Sequence, residues 1–167
     1  MTTDTPTGTS KVGAAIAARR EAGTGAVVGY LPVGFPDLDT SIDAAVTMAE
    51  NGIDVIELGI PYSDPVMDGP VIQAATQRSL AEGFRVRDVF TAIREITARV
   101  DAPVIPMTYW NPVAQHGVQR FADDLAAAGG AVRHLERRYG DLGRTEIRRQ
   151  AVGDALGLLE SVLAPTS

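Results

Sequence analysis

Residues 55–70 read VIELGIPYSDPVMDGP. With Ile53 and Asp54, the run up to Ile60 is short, largely apolar and bounded by turn residues, which predicts a buried strand over 53–60. The three prolines and one glycine of residues 61–70 predict a loop. One carboxylate, Glu57, stands among Val55, Ile56, Leu58 and Ile60. Strand alternation puts Val55, Glu57 and Gly59 on one face and Ile56, Leu58 and Ile60 on the other. An ionised carboxylate there is costly unless it is paired, solvated in a cavity or neutralised. Three placements therefore stay open: a functional cavity, a surface edge, or a core salt bridge to an Arg. In a barrel, the Glu57 face points inward near the C-terminal mouth, where barrel enzymes keep their sites.

The flanking segments repeat the pattern. AVVGYLPVG (26–34) and APVIPMTYW (102–110) predict two further strands. A helix is expected over 11–23, with Val12, Ala15 and Ile16 on one side and Gly23 and Gly25 as its stop. Ile42, Ala45, Val46 and Ala49 recur at helical spacing before Gly52, and Asp37, Asp39, Thr40 and Ser41 are candidate N-caps. Helices follow at about 71–80 and 86–100. A turn begins at Asn111 and Pro112, and a last helix over 117–128 carries Val118, Phe121, Leu125 and Ala128 on one face. Strands alternating with helices imply a parallel sheet, and continuous apolar strands imply burial on both faces. Periodicity alone leaves an open doubly wound sheet and a (β/α)8 barrel both available.

Composition narrows the function classes. The chain has 167 residues, 45% apolar and 22% charged, which suits one globular domain and excludes a collagen-like or wholly disordered chain. No apolar run approaches the roughly 18 residues of a bilayer span, so no membrane role is expected. Residues 1–10 are polar and Thr-rich, read as a disordered N-terminus without the features of a secretory signal. The absence of cysteine excludes disulfides, thiolate metal sites and Cys nucleophiles, and is compatible with a reducing compartment. A net charge of −6 argues against nucleic acid as a partner. Residues 1–131 carry −7 and residues 132–167 carry +1.

Candidate chemistry is confined to a few side chains. Asp64 and Asp68, in the loop after Glu57, would let acid and base roles be divided between carboxylates. Asp beside Pro or Gly is also ordinary turn chemistry. No His accompanies these carboxylates, so no metal site is expected. Asp123 and Asp124 read as a solvated helix face. His116 and His134 stand without a nucleophile or ligand partner, and no Gly-rich phosphate loop is present.

The run Glu57 to Pro70 closely resembles the signature of the tryptophan synthase alpha subunit family, with Met67 where many members have a smaller residue. GYLPVGFPD (29–37) and MTYWNPVAQHGVQRFADDLAAAGGA (107–131) extend the likeness, which covers about residues 11–131. The resemblance implies a (β/α)8 TIM-barrel fold. It implies retro-aldol cleavage of indole-3-glycerol phosphate to indole and glyceraldehyde 3-phosphate. No cofactor is implied for the alpha chain. Pyridoxal phosphate belongs to the beta subunit, the partner in an α2β2 complex, and the setting is cytoplasmic. By the same likeness Glu57 is the general acid/base and Asp68 binds the indole nitrogen. Tyr30, Met107 and Tyr109 line the indole pocket. Pro61, Asp64 and Pro65 belong to the loop that moves over the site and meets the beta subunit.

One departure accompanies the likeness. A (β/α)8 barrel takes about 250 residues. The family's fourth strand should follow Gly129-Gly130-Ala131, where a densely charged segment stands instead. Residues 132–167 do not resemble the family, and within them Val152, Leu156, Leu159 and Leu163 suit an amphipathic helix. The expectation is an incomplete barrel of about three parallel strands plus a helical tail. The alternative to an active lyase is an inactive fragment that binds the beta subunit. Little indole formation by the isolated chain is expected, with association through an open strand edge. Wild-type-like turnover by a monomer in size-exclusion chromatography would overturn this.

Overall fold

The computed structural model describes residues 11–129; Met1–Ser10 and everything from Gly130, including His134 and the expected tail helix, lie outside the described residues. The elements are α1 (Lys11–Glu21), β1 (Val28–Pro32), α2 (Leu38–Glu50), β2 (Val55–Gly59), α3 (Pro70–Ala81), α4 (Val86–Thr97), β3 (Val104–Met107), α5 (Trp110–His116) and α6 (Val118–Ala127). None of these helices is long and apolar enough to cross a membrane.

The three strands form one parallel sheet in the order β1-β2-β3. Val28 pairs with Val55, Tyr30 with Glu57, and Glu57 with Ile105. Ile56, Leu58 and Ile60 enter the main core with Ile42, Val46, Val89, Phe90, Ile93 and Ile96. Helices α2 and α4 supply most of those partners and pack on each other. The opposite face is closed at the start of β2, where Val55 is fully buried, and open along the outer strands. Val28 is 48% exposed and Met107 38%, which corrects the expectation that the strands are buried on both faces.

Local chemistry explains the boundaries. The Asp37 side chain accepts the Thr40 amide at 2.8 Å and caps α2, while Asp39, Thr40 and Ser41 lie inside that helix. Ser41 instead accepts the Gly34 amide at 3.0 Å, and Ser79 donates to the Val33 carbonyl at 2.8 Å. These two buried hydroxyls fix the turn after β1, where Gly34 has φ +78°. Asp54 ties the sheet to α1, accepting from the Val27 amide and pairing with Arg19.

Two expectations fail near the end of the described chain. The third strand stops at Met107, and residues 110–116 are helix α5 rather than a turn. Pro112 sits in the first turn of α5, where its missing N–H costs nothing. His116 is not solitary: it meets Asp124 at 2.7 Å and packs against Phe90 and Phe121. Asp124 therefore holds a neighbouring helix rather than only facing solvent. Gly117, at φ +95°, makes the corner that brings α5 and α6 together.

Both outer strands carry a proline at a particular register. The Val27 carbonyl and Val33 amide point to β2, so Val28, Tyr30 and Pro32 point their backbone groups away from it. The Pro103 and Met107 carbonyls also point to β2, so Val104 and Pro106 face the other open side. Each edge is thus one N–H donor short.

Ile56 is fully buried and Val66 is 84% exposed. Ile56→Ala should cost about 2–5 kcal/mol and Val66→Ala less than about 0.5 kcal/mol in denaturant unfolding. Similar losses at the two positions would mean that the sheet–helix layer is not the core.

Candidate active site

Glu57 sits in the middle of the central strand, half-buried on the face opposite the α2–α4 core. That position removes the sheet-edge placement. Among the described residues no Arg forms an ion pair with it. Tyr30 and Ile105 share its register level, and Pro32, Gly59 and Met107 form the next level toward the strand ends.

Gly59 has a specific task there. A Cβ at this position would fall 2.0 Å from the Tyr30 hydroxyl oxygen. Only glycine lets the Tyr30 side chain cross β2 beside Glu57. The sequence reading passed over Gly59, although a glycine inside a strand signals close approach by a neighbour.

The loop of residues 60–69 brings the other carboxylates. Asp68 is half-buried, whereas Asp64 is exposed and accepts from the Ser63 hydroxyl at 2.5 Å. Asp64 thus shows turn chemistry. Pro61 is buried and Pro65 half-buried. Tyr109, the N-cap residue of α5, reaches the same loop: its hydroxyl accepts the Val66 and Met67 amides at 3.2 and 3.0 Å. Its ring stands 5.1 Å from that of Tyr62. Met107 shares the face but is the most open of the five expected site residues on the strands and loop ends. Gln73, also passed over by the sequence reading, donates to the Asp68 carbonyl at 2.8 Å.

Electrostatics joins these groups. Burial pushes the Tyr30 hydroxyl up to about 12, and the charges of Asp68 and then Glu57 add to the rise, with a further contribution from Tyr109. Both carboxylates therefore act on one phenol at the end of the sheet. Such a set can deliver and remove protons and can stabilise positive charge. Among the described residues no group of three His, Asp or Glu could hold a metal ion.

A parallel sheet backed by helices, with Glu57 midway along its central strand and Asp68 in the following loop, fits part of a (β/α)8 barrel. A sequence model of the tryptophan synthase alpha chain family matches residues 16–132, and the chain belongs to that family. The alpha chain of Leifsonia xyli is 72% identical over 122 residues, covering 73% of this chain and 47% of the relative. That of Nocardia farcinica is 58% identical over 106 residues, covering 64% and 40%. The structure of Mycobacterium tuberculosis tryptophan synthase superimposes with a TM-score of 0.71 at 41% identity, over 89% of this chain and 56% of that one. The alpha subunit from Legionella pneumophila gives a TM-score of 0.69 at 32% identity, over 72% and 46%. The chain spans about half the length of the curated relatives it matches.

A raised Tyr30 pKa has a signed consequence. The folded state keeps this proton to about pH 12, whereas an unfolded tyrosine releases it near 10. Stability from this group is complete below pH 10 and is lost as pH rises from 10 to 12. Ultraviolet titration should find Tyr30 ionising late, and Asp68→Asn should move it down. A tyrosine spectrum unchanged by that substitution would separate Asp68 from Tyr30.

Proposed function

We propose that this chain carries the acid–base groups of an alpha-chain site and acts in the retro-aldol cleavage of indole-3-glycerol phosphate. One observation carries the reading above all: Glu57 on the central strand is followed by Gly59, over which the Tyr30 hydroxyl lies, and the charges of Asp68 and Glu57 both act on that hydroxyl. The family is a lyase family, and the chemistry asks for such a pair. Breaking the carbon–carbon bond needs a proton delivered to the indole ring carbon and one removed from the glycerol hydroxyl. It also needs charge stabilised at the ring nitrogen. Glu57 takes the proton transfers, and Asp68 accepts the indole N–H and balances its charge. Tyr30, Met107 and Tyr109 form the wall against which the flat ring lies. The products are indole and glyceraldehyde 3-phosphate.

No cofactor takes part in this scheme; pyridoxal phosphate belongs to the beta subunit, the proposed partner in an α2β2 complex in the cytoplasm. Related solved structures include the tryptophan synthase complex of Pyrococcus furiosus. The loop with Pro61, Asp64 and Pro65 is the proposed contact. Its apex supports this, because Val66 and Met67 are 84% and 85% exposed. A second reading, a beta-binding chain without turnover, is favoured by the two unpaired sheet edges among the described residues.

Indole release from indole-3-glycerol phosphate, measured with and without beta subunit, decides between them. If the chain turns over, Glu57→Gln should lower the rate about 10²–10⁴-fold with the fold intact. Asp68→Asn should cost much more than Asp64→Asn. Equal tolerance of these two, or activity of Glu57→Gln within a few-fold, would sink the assignment. Beta-subunit binding without indole release would establish the second reading.

A further inference from the structure

We infer that Tyr109 and Gln73 are positioning residues that clamp the backbone on either side of Asp68, with the Tyr109 hydroxyl as a double acceptor. The clamp stands on geometry alone; its catalytic consequence rests on the function proposed above.

The Tyr109 oxygen receives the amides of Val66 and Met67, the two residues just before Asp68. One phenolic oxygen thus serves as acceptor for two successive amides. Gln73, in the first turns of α3, donates to the carbonyl of Asp68 itself. The backbone is thus gripped before and at Asp68 by side chains from two regular elements. Neither grip uses the Asp68 carboxylate, whose charge acts on the Tyr30 hydroxyl. Packing offers little competing restraint, because the Val66 and Met67 side chains are 84% and 85% exposed. Tyr62, at the start of the loop, rests on the Tyr109 ring and brings both ends of the segment to one anchor.

Two single substitutions separate the parts. Tyr109→Phe keeps the ring contact and removes the acceptor. Gln73→Leu keeps volume and removes the donor. The first readout is amide hydrogen exchange by NMR on the whole chain, without substrate. Tyr109→Phe should speed exchange at Val66 and Met67 several-fold to about tenfold and leave Thr76 in α3 unchanged. Unchanged rates at Val66 and Met67 would overturn the clamp. Should this variant not fold, the wild-type chain decides. Val66 and Met67 must exchange more slowly than Ser63 and Asp64 after correction for intrinsic rates, and equal rates overturn the clamp.

The second readout is calorimetric titration with indole. Each substitution should weaken indole binding several-fold in the wild-type background and add nothing in an Asp68→Asn background. Additive losses would show that the two residues do not act through Asp68. If wild-type chain binds no indole while the exchange pattern holds, the proposed function fails and the clamp stands.

Discussion

Strand β2 buries Ile56 and Leu58 against the α2–α4 layer. A strand's side chains alternate, so this burial decides where Glu57 goes. Sliding the register by one residue would expose two large aliphatic side chains and press a carboxylate into the core. The hydrophobic energy of the helix side therefore holds the acid on the open side. The same alternation carries Tyr30 and Ile105 onto that face, because both are register partners of Glu57. Gly59 then lets Tyr30 cross the strand end, and the carboxylates of Glu57 and Asp68 raise the phenol further than burial alone.

Precision at the sheet contrasts with the means used in the loop. Glu57 is placed by packing, which is dense and cooperative. Asp68 is placed by a few hydrogen bonds to backbone, on a segment whose apex side chains face solvent. Bonds of this kind contribute about 1 kcal/mol each and open without disturbing the core. The proposed site would thus have one rigid carboxylate and one on a support that can release. That division suits a loop which closes over a ligand.

The three strands and the face of Glu57 were legible because period two and period 3.6 are local properties of sequence. Helix α5 was not, since Trp110-Asn111-Pro112 reads as a turn unless the proline is recognised as a first-turn residue. The His116–Asp124 pair spans a corner made by Gly117, and no periodic pattern announces it. Tyr109 was singled out by family likeness as a pocket residue. Its bonds to Val66 and Met67 cross more than 40 residues of chain and exist only once the fold has assembled. Gln73 carried no sequence signal that separates it from a solvent-facing helix residue.

Pro32 and Pro106 bear on what can join this sheet. A strand arriving beside β1 or β3 would find carbonyls to donate to, yet one position on each side gives no proton back. Backbone ladders are indifferent to sequence, so an intact edge recruits any extended segment. With the ladder weakened at both borders, a neighbour must be selected by its side chains. Beside β1 it has to fit Val28 and Tyr30, and beside β3 it has to fit Ile105 and Met107. The two prolines thus move recognition from main chain to side chain and bias the sheet toward a sequence-specific neighbour over a chance one.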